Sequence, residues 1–391
     1  MTVERRREPE IIPQYSLTGD LLSFLRCGLQ YRYHSGSALP PSRPVQLWFG
    51  EFIHGVLEAA YRLWTTSHPP FPWPCNMTPI PAVPIPPRVA HDVGELGDVV
   101  ERTLSAQGKN SRSRHARNAA YRRATSAINH LGPDLFPLIH SAEEKVIGTR
   151  DLRNAAAGIA NIRAKRYELH GVVDVVTNMT LAGVPTQNRL GEAVRNAVPN
   201  ATGNFEVIVD YKGSRRPPSN PASAYWQQGD WQIQTYAWLR MRQPHALPVV
   251  AGILLYINEL DPSDDHIASL KRELANNATD VVPIPGSQDA YQLNAWRPGR
   301  QINLSLEYRL ARAIRVVAVT AASQQQAGQQ FDNTVVQIEQ CVSAEANAGH
   351  IQRNWVAQGD EESCAACDFR HFCPNPHPHD PNFQVEAPAA P

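Results

Sequence analysis

The chain has 391 residues, 42% of them hydrophobic, and its 37 Lys and Arg residues balance 37 Asp and Glu residues. This length and composition allow a large core in one or two domains, and the charge balance excludes a basic field over the whole molecule. The sequence has no apolar run of about 18 residues, and its first ten residues lack the apolar core of a signal peptide. We therefore expect a cytoplasmic protein without a membrane segment.

Two helices are predicted first. Residues 18–33 carry a stripe of leucines, with Thr18 as a plausible cap, and Cys27 lies on this helix. Residues 46–64 form the second helix, and the stripe of apolar residues expected to face the core leaves His54 off its centre. Because a core histidine would point inward, His54 is a candidate for another role.

The middle of the chain is predicted to alternate between strands and helices. Residues 67–130 read as an inserted region, because they begin with a proline-dense stretch that excludes a helix interior. The later elements are three strands, a helix, a strand and closing helices at about 141–147, 166–177, 205–212, 230–242, 249–257 and 304–348. This order predicts one α/β domain over 1–373, with a long loop at 178–204 and a disordered tail over 374–391.

The predicted strands carry the side chains that are the best candidates for catalysis or metal binding. In FEVIVDYK, a period of two puts Asp210 and Lys212 on one face, where a strand-end salt bridge is the structural alternative to catalysis. Asp174 stands between two valine pairs, and a carboxylate there is costly to bury unless it is paired or binds a cation. Two carboxylates on neighbouring strands can hold a divalent cation, and a lysine beside them suits phosphodiester hydrolysis. Glu143 or Glu144 is left open as a further carboxylate.

Four cysteines form a second candidate site. Three are clustered near the end of the sequence as C-x2-C-x5-C, and one stands near its start. Four thiolates complete the ligand set of an iron–sulfur cluster or of a structural zinc ion, and clustered cysteines in a reducing compartment are more often metal ligands than disulfides. The sequence thus predicts a metal site joining the two ends through Cys27, Cys364, Cys367 and Cys373.

In their order along the chain, these motifs resemble the RecB-type branch of the PD-(D/E)XK nuclease superfamily. That branch includes AddB-like and CRISPR adaptation exonucleases with an iron–sulfur cluster. The matching motifs are SLT at 16–18 with Cys27, GEFIH at 50–54, GVVD at 171–174, VDYK at 209–212, QIQTY at 232–236 and the three later cysteines.

The resemblance implies a restriction-endonuclease-like core, a central mixed sheet flanked by helices, whose termini are joined by a [4Fe–4S] cluster. It implies Mg²⁺ or Mn²⁺ as a second cofactor. The implied metal ligands are His54, Asp174, Asp210 and the Tyr211 carbonyl. The implied catalytic residues are Asp174, Asp210, Lys212, Gln232 and Tyr236. The implied cluster ligands are Cys27, Cys364, Cys367 and Cys373.

The implied activity is a metal-dependent deoxyribonuclease, an exonuclease preferring single-stranded DNA, acting in DNA repair, CRISPR adaptation or antiphage defence. DNA is the expected partner, with a helicase or another complex subunit left open. The alternative from another class is a non-catalytic iron–sulfur DNA-binding or scaffold subunit. Local basic charge suits phosphate contacts, although a charged helix is as often a solvated face. The candidate DNA-binding arginines are Arg112, Arg114, Arg117, Arg122, Arg123, Arg215 and Arg216.

Overall fold

The computed structural model describes residues 12–36, 45–77, 89–152, 163, 165–220, 224–359, 363–364 and 367–376. Its centre is a six-stranded sheet. The strands are β1 Gln14–Ser16, β2 Ile139–Asp151, β3 Arg166–Met179, β4 Phe205–Lys212, β5 Val249–Tyr256 and β6 Ile314–Ala318. Within the described residues, no helix is both long and apolar enough to cross a bilayer.

Twelve α-helices are found in the described part of the chain. They are α1 Leu22–Arg26, α2 Gly28–Gly36, α3 Val45–Ser67, α4 Val93–Ala106, α5 Arg114–Leu135, α6 Arg189–Ala197, α7 Ala224–Arg240, α8 Asp264–Ala275, α9 Gln288–Ala295, α10 Leu306–Ala313, α11 Ala321–Ala348 and α12 Ile351–Asn354. Helices lie on both faces of the sheet, so the predicted α/β architecture is confirmed.

The sheet is mixed, as predicted, with the order β1-β3-β4-β5-β6 and β2 beside β3. β3 is parallel to β1 and antiparallel to β2 and β4, while β5 is parallel to β4 and antiparallel to β6. This arrangement of helices and a central mixed sheet is consistent with a restriction-endonuclease-like fold.

One edge of β3 is shared by two short partners. β1 pairs with residues 168–170 and β4 with residues 175–179, so the stretch from 171 to 174 has no ladder partner on that edge. β2 covers the opposite edge along nearly the whole strand. The unpaired stretch ends at Asp174, which places this carboxylate where the sheet opens.

The regular alternation of β3 breaks at the same point. Val173 and Val176 both belong to the core cluster under α7 and α11, whereas Val175 belongs to the cluster under α3 and α5. Strict alternation would put Val173 and Val175 on one face. The opposite strand is also irregular here, because Glu143 has a positive φ of 52°.

The region predicted as an insertion contributes to the main core. α4 and α5 pack against α3, and Tyr121 and Ala124 of α5 share the core cluster of Phe52. The Tyr121 and Phe52 ring centroids lie 4.9 Å apart. Part of the proline-dense stretch, 78–88, lies outside the described residues, as does the predicted disordered tail from 377 onward.

The prediction of one helix over residues 18–33 was wrong in two respects. The helix is broken at Cys27, which is extended (φ −159°, ψ 108°) between α1 and α2. Its cap is Ser16, whose Oγ accepts from the Gly19 amide at 3.1 Å, and not Thr18. The break is stabilised from outside the helix, because the Leu29 amide donates to the Val356 carbonyl at 3.0 Å. A local pattern cannot show that partner.

Two strands were missed. β1 has only three residues, too few for any pattern, and β6 was assigned to the closing helices. β6 follows directly after α10 and pairs with β5, so tertiary pairing decides its conformation.

Candidate metal centre

The candidate centre is built around Asp174, at the open edge of β3. Beyond the last paired residues, β4 moves away from β3, and the Tyr211 amide donates to Asp174 Oδ2 at 2.8 Å. The carboxylate thus takes the place of a missing ladder bond. Asp174 is buried, as the valine pairs around it predict.

His54 reaches this carboxylate from α3. Phe52 and Ile53 lie on the buried face of α3. His54 is therefore at the side of the helix, as expected, and faces the edge of the sheet. His54 Nδ1 lies 3.4 Å from Asp174 Oδ1, and Nε2 lies 3.2 Å from the Tyr211 carbonyl oxygen. Burial opposes protonation, but the carboxylates of Asp174 and Asp210 outweigh it and raise the pKa of His54 to about 9. The surroundings therefore favour a cation.

Glu143 of β2 is a third member, which sequence reasoning did not distinguish from its neighbour. Glu144 is paired with Arg240 and accepts from Ser141 Oγ at 2.6 Å, so it is used within the fold. Glu143, His54 and Asp174 each present a ligand atom, and the three atoms lie within 4.8 Å of one another. Burial and the neighbouring Asp174 raise the pKa of Glu143 to about 7. Its left-handed backbone is uncommon for a residue other than glycine, and such strain clusters at functional sites.

Asp210 and Lys212 lie together on the α7 side of the sheet, as the period of two predicts. Lys212 Nζ lies 2.6 Å from Asp210 Oδ2. Gln232 of α7 joins them, because its Nε2 donates to Asp210 Oδ1 at 2.7 Å and its Oε1 accepts from Lys212 Nζ. Gln232 Nε2 also lies 3.4 Å from the Tyr236 hydroxyl. The predicted catalytic residues on β4 and α7 are thus connected by hydrogen bonds.

α7 is fixed to the sheet by an ion pair near its end. Arg240 donates to both oxygens of Glu206 at 2.7 Å, and both side chains are buried. The Tyr236 ring lies so close to β3 that a Cβ at Gly171 would be 2.8 Å from its Cε1. The glycine of the GVVD motif therefore has a packing reason, since any side chain would displace Tyr236.

The donor set fits a hard divalent cation. Carboxylate and carbonyl oxygens suit Mg²⁺ and Mn²⁺, and an imidazole nitrogen adds a ligand of the kind transition metals accept. Asp210 Oδ2 is buried and makes no well-directed hydrogen bond, although the Lys212 ammonium lies beside it. Burial and Asp174 raise the pKa of Asp210, while Lys212 acts in the opposite direction. Three carboxylates share this place with one ammonium and one imidazole, so negative charge is in excess.

The predicted DNA-binding arginines are not gathered on one exposed face. Arg117 and Arg123 are buried in α5, and Arg117 is paired with Glu101 at 2.7 Å. Arg112, Arg114 and Arg122 are exposed. A DNA-binding role for the exposed group stays a prediction.

The two arginines after β4 belong to what we call the arginine network. Arg216 is buried, and its backbone amide donates to Glu259 at 2.8 Å. Arg312 also donates to Glu259, at 2.6 Å, and Arg215 is paired with Glu273. The members of the arginine network are Arg215, Arg216, Arg312, Glu259, Glu273 and Asp280.

The four predicted cluster cysteines line one cavity, together with Tyr33 and Phe369. A Cβ at Gly359 would lie 3.1 Å from Cys364 Sγ and 3.7 Å from Cys27 Cβ, which shows how closely the two ends of the chain approach. Arg32 of α2 and Glu345 of α11 form a two-bond ion pair at 2.6 Å. Within the described residues, no two cysteines are joined by a disulfide.

One comparison with known proteins bears on this site. The family model described as PD-(D/E)XK nuclease superfamily matches residues 200–374, less than half of the chain. The matched segment contains Asp210, Lys212, Gln232 and Tyr236, whereas His54, Glu143 and Asp174 precede it. Comparison with curated proteins gives no match. Residues 200–374 are therefore similar to the PD-(D/E)XK nuclease superfamily.

Proposed function

We propose that this protein is a metal-dependent deoxyribonuclease that hydrolyses phosphodiester bonds. The observation that carries the proposal is the group formed by His54, Glu143 and Asp174. Beside it, Lys212 is paired with Asp210 in the segment that matches the superfamily model. Buried carboxylates in excess of their cations are costly unless a metal ion joins them. Mn²⁺ or Mg²⁺ is the expected ion, and the imidazole favours Mn²⁺.

The residues that would hold the cation are His54, Glu143, Asp174, Asp210 and the Tyr211 carbonyl. When bound, the cation supplies Lewis-acid activation of the scissile phosphate and of the attacking water. Lys212 places a compact positive charge where negative charge develops on the phosphate. Gln232 fixes the ammonium against Asp210, and Tyr236 supports Gln232 from the same helix turn.

A finer assignment follows from the resemblance of the motifs. We propose an exonuclease that prefers single-stranded DNA and works in the cytoplasm, in DNA repair, CRISPR adaptation or antiphage defence. A helicase or another complex subunit is the partner we would seek. These proposals rest on the motif order and on the domain match.

We further propose that Cys27, Cys364, Cys367 and Cys373 hold a [4Fe–4S] cluster. The support is that all four line one cavity at the meeting of the two ends of the chain. Anaerobically purified protein should then be brown and contain about four iron atoms per chain. A colourless protein with one zinc ion per chain would replace the cluster by a structural zinc site.

The nuclease is tested with end-labelled single- and double-stranded DNA in Mn²⁺, Mg²⁺ or EDTA. We expect cleavage in Mn²⁺ and none in EDTA. Whether the DNA is shortened from its labelled or its unlabelled end gives the direction of degradation. Binding of DNA without cleavage in any metal ion would favour the scaffold alternative.

A further inference from the structure

The face of β2 and β3 next to the metal centre forms an exposed platform. Glu143 and Asp174 stand opposite one another at its inner end, because the pairs on either side are in register. Moving outward, Lys145 is paired with Val172, and Ile147 is paired with His170. With a period of two, these four side chains share the face of the two strands that carries Glu143 and Asp174. We call Lys145, Ile147, His170 and Val172 the platform.

The platform is open to solvent. Ile147 and Val172 are 49% and 39% exposed, which is high for aliphatic side chains within a sheet. Lys145 and His170 are exposed as well. α3 and α5 cover the sheet under Val175 and Val207, but not this outer half of β3.

The charge of the platform changes sign with distance from the centre. Glu143 and Asp174 are acidic, and Lys145, two residues farther out, lies about 7 Å along the strand from Glu143. Within the part of the chain that the structure describes, Lys145 forms no ion pair. Glu168 stands at the far end, paired with Thr149. An ammonium next to a cation site is arranged to meet a chain with repeated negative charges.

We propose that the platform is the surface over which a DNA strand runs into the metal centre. Lys145 would neutralise a phosphate next to the one that is cut, and Ile147 with Val172 would contact the apolar faces of sugars and bases. The proposal deepens the proposed function, since it names the path of the same substrate. Its support is the continuity of the platform with Glu143 and Asp174, and the placement of its lysine.

Lys165 offers a matched control. It is exposed and directly precedes β3, about 30 Å along the strand from Asp174. A change of either lysine to glutamine removes one surface charge from the same ribbon. Only the change at Lys145, near the metal centre, should weaken binding of the DNA strand.

The experiment measures binding of a fluorescent single-stranded oligonucleotide to Asp174→Asn protein by anisotropy, over a series of salt concentrations. Adding Lys145→Gln should weaken binding about fivefold to tenfold at low salt and reduce the slope of log affinity against log salt by about one phosphate contact. Ile147→Asp, which places a negative charge on the platform, should weaken binding by about tenfold or more. Lys165→Gln should leave both affinity and slope unchanged.

Equal affinities and slopes for the Lys145→Gln and Lys165→Gln proteins, with Ile147→Asp also unchanged, would overturn the platform. Because binding is measured without cleavage, a protein that binds through the platform but does not cut DNA in Mn²⁺ would refute only the proposed nuclease activity. Circular dichroism of each variant verifies that a loss of binding does not come from unfolding.

Discussion

Two groups of charged side chains lie close to the end of β4, and they differ in how their charge is balanced. In the arginine network, three arginines meet three carboxylates, and Glu259 accepts from both Arg216 and Arg312. In the metal centre, three carboxylates meet one ammonium and one imidazole. Each group has buried members: Arg216, Arg312, Glu259 and Glu273 in the arginine network, and Asp174 and Asp210 in the metal centre.

The different charge balance shifts the pKa values of acids in the two groups in opposite directions. Although burial acts in the opposite direction, Arg312 lowers the pKa of Glu259. Burial and Asp174 instead raise the pKa of Glu143 to about 7. A buried acid that has its arginine is part of the framework, whereas acids that outnumber the cations beside them form a site that can bind a metal ion.

The largest expected effect is on catalysis. Asp174→Asn removes a charged ligand but retains an oxygen that can accept from the Tyr211 amide, so the fold should persist while cleavage falls by at least about a thousandfold. Initial rates on end-labelled DNA in Mn²⁺ measure the loss. Asp332→Asn is the control, since Asp332 is paired with Arg150 away from the centre. Comparable rates for wild-type and Asp174→Asn proteins would remove Asp174 from the mechanism.

The next effect separates stability from activity. Glu259→Gln leaves the buried Arg312 guanidinium without its carboxylate, and breaking such a pair costs about 3–5 kcal/mol of unfolding free energy. Urea denaturation measures this cost, with an unchanged m value as the sign of two-state unfolding. Well below the midpoint, Mn²⁺ binding should remain. A cost under about 1 kcal/mol would mean that the network is not structural.

A buried histidine on α8, His266, predicts a pH dependence of stability. Burial and Arg123 lower the pKa of His266 from 6.5 to about 4. Because the unfolded chain takes up this proton first, stability is intact above pH 6.5 and is lost as pH falls toward 4, by up to about 1.4 kcal/mol per pH unit. Denaturation of wild-type and His266→Gln proteins between pH 7 and 4 isolates the effect. Parallel pH profiles for the two proteins would show that His266 contributes none of it.

The smallest effect has the opposite sign. In EDTA, Glu143→Gln should stabilise the protein by about 1 kcal/mol, because it removes one of two carboxylates whose oxygens lie within 4.8 Å of one another. In Mn²⁺ the order should reverse, since the wild-type protein gains binding free energy that the variant lacks. Thermal unfolding in both buffers measures the reversal. A variant that is less stable in EDTA as well would assign Glu143 to the framework.

Much of the fold could be predicted from the sequence, because most helices and strands follow local patterns of apolar residues. The strand period placed Asp210 and Lys212 side by side, and the helix period placed His54 off the core face. The elements that failed are those decided by distant partners. β6 is a strand because it pairs with β5, and the helix around Cys27 is broken by a bond to Val356.

The site was predicted less completely, for a related reason. Glu143 and Glu144 are indistinguishable in sequence, and only the ion pair with Arg240 shows which one is used in the framework. Arg216 looked like a surface cation but is buried against Glu259 and Asp280. Charge alone does not tell whether an arginine faces solvent or completes a network.

The most direct test of the central claim is a titration with Mn²⁺, with the free ion followed by electron paramagnetic resonance. We expect the wild-type protein to bind one or two ions, the Asp174→Asn protein to lose this binding, and the Asp332→Asn protein to keep it. Equal Mn²⁺ binding by wild-type and Asp174→Asn proteins, or none by either, would contradict the view that the excess carboxylates form a metal centre.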